Sequence, residues 1–237
     1  MAINLTTLTD PTSAAAEAYR RLRVNLLAAG KDAPLQTILV VAVGADPEKA
    51  GAVANLAVTF AKVSKRVILA DCDLHHPAQH TIFGLDNRAG VTTALTAPPP
   101  QVEGQSTPQE PVLRSPRPEG EGSLPKGREA GEDPLPLRDT EVPGLRVLTS
   151  GPAVGVPSDL IASPGMSALI GRLRAEADIV LFDAPPVLLA TDAVELATQV
   201  DGVLLTVRAG HTRRNEAQRA KELLAQVGAR VVGAVLT

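Results

Sequence analysis

Apolar residues along this chain fall into short, nearly unbroken runs separated by segments of helical period. Residues 36–43 (QTILVVAV), 66–70 (RVILA), 145–149 (LRVLT), 179–182 (IVLF), 202–208 (GVLLTVR) and 230–236 (RVVGAVL) are short and rich in β-branched residues. Such runs predict strands buried on both faces. Residues 13–29 (SAAAEAYRRLRVNLLAA) predict a helix, with Ser13 as its cap and Tyr19, Leu22 and Leu26 as its apolar stripe. Further helices are expected at 52–63, near 158–162, at 164–176, near 190–199 and at 212–227, whereas 44–51 (GADPEKAG) reads as a turn and 77–96 carries weaker signals. Strands alternating with helices indicate an α/β fold, a mainly parallel sheet with helices on both faces. Ligand sites in such sheets lie at the carboxyl ends of the strands. The turn after Val43, the pair Asp71 and Asp73, and Asp183 all fall at such ends.

One stretch breaks the pattern. Residues 97–143 hold eleven of the twenty prolines, many Glu and Gly, and no aromatic residue. A segment of that composition buries too little apolar surface to offset its ordering entropy. It is expected to be a disordered insert within one domain spanning 1–237, because closure entropy grows only slowly with loop length.

Composition narrows the function. Aromatic residues are 2 % of the chain and the net charge is −3, so there are few stacking platforms and no basic field for a nucleic acid. The single cysteine, Cys72, excludes an intrachain disulfide and a Cys-rich zinc site. The first residues, MAINLTTLTD, lack a basic stretch followed by an apolar one, and no apolar run approaches the ~20 residues of a membrane span. A cytoplasmic protein is expected, with no direct membrane insertion, meeting a membrane through a partner.

The strand ends suggest a chemistry. A phosphate-binding loop joins a strand to a helix, turns backbone N–H groups toward phosphate oxygens, and supplies a Lys for the outer phosphates and a hydroxyl for Mg²⁺. Gly44, Lys49, Ala50 and Gly51 stand at the corresponding positions, although the motif itself is not met and the segment also reads as an ordinary βα turn. Three carboxylates around one cleft, Asp71, Asp73 and Asp183, are of the kind that holds Mg²⁺ and orients a nucleophile. Aspartates that cap helices and form turns at βα junctions are the other reading.

Four stretches together resemble the cytoplasmic tyrosine kinases of bacterial capsule and exopolysaccharide assembly, which have the P-loop NTPase architecture shared with division-site and partition ATPases. They are Glu17-Ala18-Tyr19-Arg20-Arg21-Leu22-Arg23, Val67 to Leu74 (VILADCDL), Ile179 to Leu188 (IVLFDAPPVL) continuing to Asp192-Ala193, and Asp201 to Leu205 (DGVLL) with Val207, Arg208, Gly210 and Thr212. The resemblance covers nearly the whole chain outside 97–143. It implies ATP and Mg²⁺ as ligands, with Asp71 and Asp73 catalytic, Asp71 and Asp183 at the metal, and Gly44, Lys49, Ala50 and Gly51 at the nucleotide. It also implies homo-oligomer contacts through Glu17, Arg20 and Arg23, and a membrane polysaccharide chain-length regulator as partner.

The loop departs from that family. Glu48 replaces a glycine, Ala50 the Mg²⁺-binding hydroxyl residue and Gly51 the following Thr, with the register set by the spacing of Lys49 and Asn55. A carboxylate ~4 Å from a phosphate costs roughly 4 kcal/mol at an effective dielectric near 20. His75 replaces an Arg, Thr237 an Asn, and the one tyrosine, Tyr19, leaves no tyrosine cluster. The expectation is therefore a kinase-like protein impaired in catalysis that regulates or assembles. The alternatives are an active kinase or ATPase with an atypical loop, and a partition-type ATPase.

Overall fold

The apolar runs become β1 (Thr37–Ala42), β2 (Val67–Asp71), β4 (Leu145–Leu148), β5 (Ile179–Asp183), β6 (Gly202–Val207) and β7 (Val231–Leu236) in a computed structural model, which describes residues 5–63, 65–96 and 134–237. With the two-residue β3 (Arg138–Asp139) they form a seven-stranded sheet in the order β3-β4-β2-β5-β1-β6-β7. Every neighbouring pair is parallel except β3 with β4. The helices are α1 (Thr6–Thr9), α2 (Ala14–Ala29), α3 (Lys49–Ala61), α4 (Gln79–Phe83), α5 (Val91–Thr96), α6 (Pro157–Ile161), α7 (Pro164–Glu176), α8 (Asp192–Ala197) and α9 (Arg214–Gln226). The α/β architecture is the one expected.

Successive strand residues face opposite sides of a sheet. Ile38 and Val40 of β1, Val67 and Leu69 of β2, and Ile179 and Leu181 of β5 pack in one cluster with Leu56 and Phe60 of α3. The alternate residues Leu39, Val41, Ile68, Val180 and Phe182 are buried too, so both faces are covered. Helix α3 is buried nearly all round, as its run of Ala, Val, Leu and Phe requires. Tyr19 and Leu22 of α2 lie partly buried against the same cluster, and Ser13 caps α2 by accepting from the Ala16 N–H. Asn55 pins α1 to α3: its Oδ1 accepts from Thr7 N and Thr7 Oγ1 at 3.0 and 2.8 Å.

Two expectations are corrected. Helix α3 starts at Lys49 rather than 52. Asp46, Pro47 and Glu48 complete a turn just before it, with the Glu48 N–H donating to Asp46 Oδ1 at 2.9 Å. The expected 97–143 insert ends earlier than predicted, because Arg138–Asp139 pairs antiparallel with β4. Residues 97–133 lie outside the described part of the chain. The described residues up to 96 form one compact unit with residues 136–237. Among the described residues no helix is long and apolar enough to cross a membrane.

Candidate nucleotide site at the strand ends

The parallel strands β1, β2 and β5 bring their carboxyl ends together, with Asp71 and Asp183 in register on adjacent strands. Past Asp183 the two prolines donate no hydrogen bonds, and the chain is steered along β1 by Val187 N, which donates to Ala42 O at 2.9 Å. A cleft of about 490 Å³ opens there, between Ala45, Asp46 and Pro47 on one side and Pro185, Pro186 and Leu189 on the other, with Lys49, Asp73, His75 and His76 in its lining.

Lys49 is the hub of this region. It is only 4 % exposed. Its Nζ lies 2.6 Å from Asp183 Oδ1 and 3.0 Å from Asp73 Oδ2, and it also donates to the Ala184 carbonyl. Its hydrogen bonds go to Asp73 and Ala184, and Asp183 Oδ1 meets it as a close ion pair. Burial works to lower the pKa of this lysine, but the Asp183 and Asp73 carboxylates outweigh it and hold the group above its ordinary value.

The aspartates divide their roles. Asp73 Oδ1 accepts from His76 N at 3.0 Å while its other oxygen meets Lys49. Asp71 turns away from Lys49: its Oδ2 accepts from the backbone N–H groups of Ala78 and Gln79 at 3.0 and 2.9 Å, and its Oδ1 is buried without a partner. Burial, reinforced by the Asp183 charge, pushes the Asp71 pKa up to about 8. Burial likewise pushes the Cys72 thiol well up.

Gln79 was not singled out from sequence. It is fully buried, and its Nε2 bridges Asp183 Oδ2 at 2.7 Å and the Ala50 carbonyl at 3.1 Å. It lies in the weakly patterned 77–96 segment, and a single Gln after Pro77 and Ala78 carries no signal of its own. Asp46 was also passed over. Beyond the Glu48 N–H it accepts the hydroxyls of Thr206 and Thr237 at 3.3 and 2.9 Å. Asp192 is buried between His75 Nε2 at 3.0 Å and Ser158 Oγ at 2.6 Å.

The donor set does not fit Mg²⁺. Position 50 offers no hydroxyl, Asp71 has its pKa pushed up to about 8 by burial and accepts from two N–H groups, and the Asp73 and Asp183 carboxylates meet an ammonium. Ligation of Mg²⁺ by Asp71 and Asp183 would require Asp183 to give up Lys49. Among the described residues no cluster of three or more His, Cys, Asp or Glu is placed to hold a metal ion. Gly44 has open space where a Cβ would lie, and Gly51 is buried inside α3. Glu48 is exposed, and its charge acts on Tyr19, whose pKa is raised by burial and then by Glu48. Repulsion of a phosphate by Glu48 is therefore weaker than the sequence estimate.

Glu17, Arg20 and Arg23 do not act as one patch. Glu17 pairs with Arg20 at 2.7 Å and Arg21 at 3.6 Å on the surface. Arg23 turns inward and donates to the Thr59 carbonyl of α3 at 2.8 Å.

A parallel sheet with a lysine-led βα loop and aspartates at adjacent strand ends defines a P-loop NTPase-like protein. The chain is 31 % identical over 233 residues to tyrosine-protein kinase YwqD of Bacillus subtilis, covering 98 % of this chain and 85 % of YwqD. It belongs to the family of bacterial tyrosine-protein kinases. The crystal structure of the chimerical protein CapA2B2 matches with a TM-score of 0.79 at 29 % identity, over 98 % of this chain and 88 % of that one. The septum site-determining protein MinD from Pyrococcus horikoshii, complexed with Mg-ADP, shares the fold at a TM-score of 0.59 and 16 % identity, over 85 % of this chain and 70 % of that one. No protein-family model matches the chain.

Proposed function

We propose that this chain is a tyrosine-kinase-fold protein of capsule or exopolysaccharide synthesis and export that has lost phosphoryl transfer and serves as a regulator or assembly component. The observation behind this reading is Lys49. The residue that would reach the outer phosphates of ATP is hydrogen-bonded to Asp73 and Ala184 and ion-paired with Asp183, and its neighbour Ala50 has no side-chain oxygen for Mg²⁺. ATP and Mg²⁺ are the ligands the family implies. Binding them here requires opening the buried ion-pair cluster of Lys49, Asp73 and Asp183. The partner is a membrane polysaccharide chain-length regulator or adaptor, which holds the chain at the inner face of the plasma membrane, and a homo-oligomer forms through the Glu17 face of α2. Isothermal titration with Mg-ATP tests this reading, and micromolar binding with turnover would overturn it.

An active enzyme is the second reading, favoured by the convergence of Lys49, Asp73 and Asp183 on a nucleotide-sized cleft. Phosphoryl transfer by the wild type, abolished in a folded Lys49→Ala variant, would establish it.

A further inference from the structure

We infer that Asp46 is the residue that excludes phosphate from this cleft, because its carboxylate supplies from within the loop the anion that a nucleotide would bring. The inference rests on the reading of a nucleotide-poor site and names the group responsible for it.

Three elements hold the Asp46 side chain. Its Oδ1 accepts the Glu48 N–H at 2.9 Å. That amide stands just ahead of α3, among the donors through which a loop-to-helix junction binds anions. Its Oδ2 accepts the Thr206 hydroxyl at the end of β6 and the Thr237 hydroxyl just past β7, at 3.3 and 2.9 Å. A carboxylate fastened from the loop and from two strands is not displaced by a simple rotation. It also lines the cleft, on the same side as Ala45 and Pro47.

The charge balance works in the same direction. Lys49 is the lysine of the cleft, and its charge is spent on Asp73 and Asp183. An incoming phosphate thus meets Asp46 with no free ammonium opposite. Glu48 adds negative charge nearby, but it is exposed and screened by water, whereas Asp46 is half-buried. The exclusion is therefore assigned to Asp46 rather than to the more conspicuous Glu48.

The test is calorimetric titration of the full chain with ATP, in the presence and absence of Mg²⁺, and with inorganic triphosphate. Wild type, Asp46→Asn, Asp46→Ala and Glu48→Gln are compared, with circular dichroism and thermal melting confirming each fold. Asp46→Asn removes the charge and keeps one oxygen for the Glu48 N–H, while its NH2 group can donate to the Thr206 and Thr237 hydroxyl oxygens, which reverse their role. The expected result is no saturable binding by the wild type up to the highest concentration titrated, saturable binding by Asp46→Asn with a Kd about tenfold or more below that limit, and a smaller gain for Glu48→Gln. If Asp46→Ala does not fold, Asp46→Asn decides alone. No gain in a folded Asp46→Asn, or an equal gain in Glu48→Gln, overturns the assignment to Asp46 while leaving the proposed function standing. Micromolar Mg-ATP binding by the wild type overturns both.

Discussion

Lys49 Nζ stands 2.6 Å from Asp183 Oδ1, and both side chains are almost wholly withdrawn from water. With Asp73 they make a buried cluster of one cation and two carboxylates. Removing one partner of a buried ion pair leaves an uncompensated charge and costs about 3–5 kcal/mol. Lys49→Ala is therefore expected to lower folding stability by that order, read as a fall in the urea midpoint at unchanged slope. A variant as stable as the wild type would contradict the cluster. Any loss of activity in Lys49→Ala has to be read beside this measurement.

Asp71 gives the fold a pH dependence. Its folded pKa of about 8 lies above the ordinary 3.8, so the native state holds a proton the unfolded chain releases. The stabilisation is complete below pH 3.8 and is lost as pH rises toward 8. The contribution changes by up to about 1.4 kcal/mol per pH unit. Asp71→Asn is a neutral near-isostere. Its stability is expected to vary less between pH 5 and 8, measured by denaturant unfolding at stepped pH.

Asp201 acts in the opposite sense. Its Oδ2 accepts from Gln36 N, Thr37 N and Thr37 Oγ1 at 2.9, 2.7 and 2.9 Å, and Arg174 meets its Oδ1 at 2.7 Å. Burial works to raise its pKa, but the Thr37 N–H, Arg174 and the Thr37 hydroxyl outweigh it and hold the carboxyl below its usual value. Its stabilisation is present above the ordinary carboxylate range and disappears as pH falls through the folded pKa. Asp201→Ala orphans the amides that start β1 and is expected to cost about 2–3 kcal/mol near pH 7. Thermal melting should show the gap between variant and wild type closing in acid.

The α2 charges separate assembly from folding. Arg23 is tied to Thr59 across the α2–α3 seam, so Arg23→Ala is expected to lower the melting temperature. Glu17 is paired only on the surface, where an ion pair is worth a few tenths of a kcal/mol. Glu17→Ala should leave stability unchanged, so a shift of its sedimentation toward monomer would reflect an oligomer contact. No shift would remove Glu17 from that role.

The sheet was legible because strands buried on both faces must be apolar throughout, and only parallel order accommodates helices between them. The aspartates were legible because strand ends are where such sheets place polar residues. The start of α3 lies three residues earlier than the pattern predicts: Glu48-Lys49-Ala50-Gly51 has no apolar stripe, and the turn is set by Asp46, whose carboxylate accepts from the Glu48 N–H and whose carbonyl accepts from the Lys49 N–H. β3 was missed because two residues inside a proline-rich stretch carry no period. The division of labour between Asp71 and Asp73 was hidden as well. Two positions apart in sequence, they accept from different partners, set by the path of residues 74–79.

Tyr19 is the one tyrosine of a chain without tryptophan, and it is packed between α2 and the core close to Glu48. The protein thus carries a native optical label at a single site. Its ultraviolet emission reports the packing of α2 beside the loop, without any introduced dye. It is also this chain's sole tyrosine donor for energy transfer to the tryptophan of any partner that approaches α2.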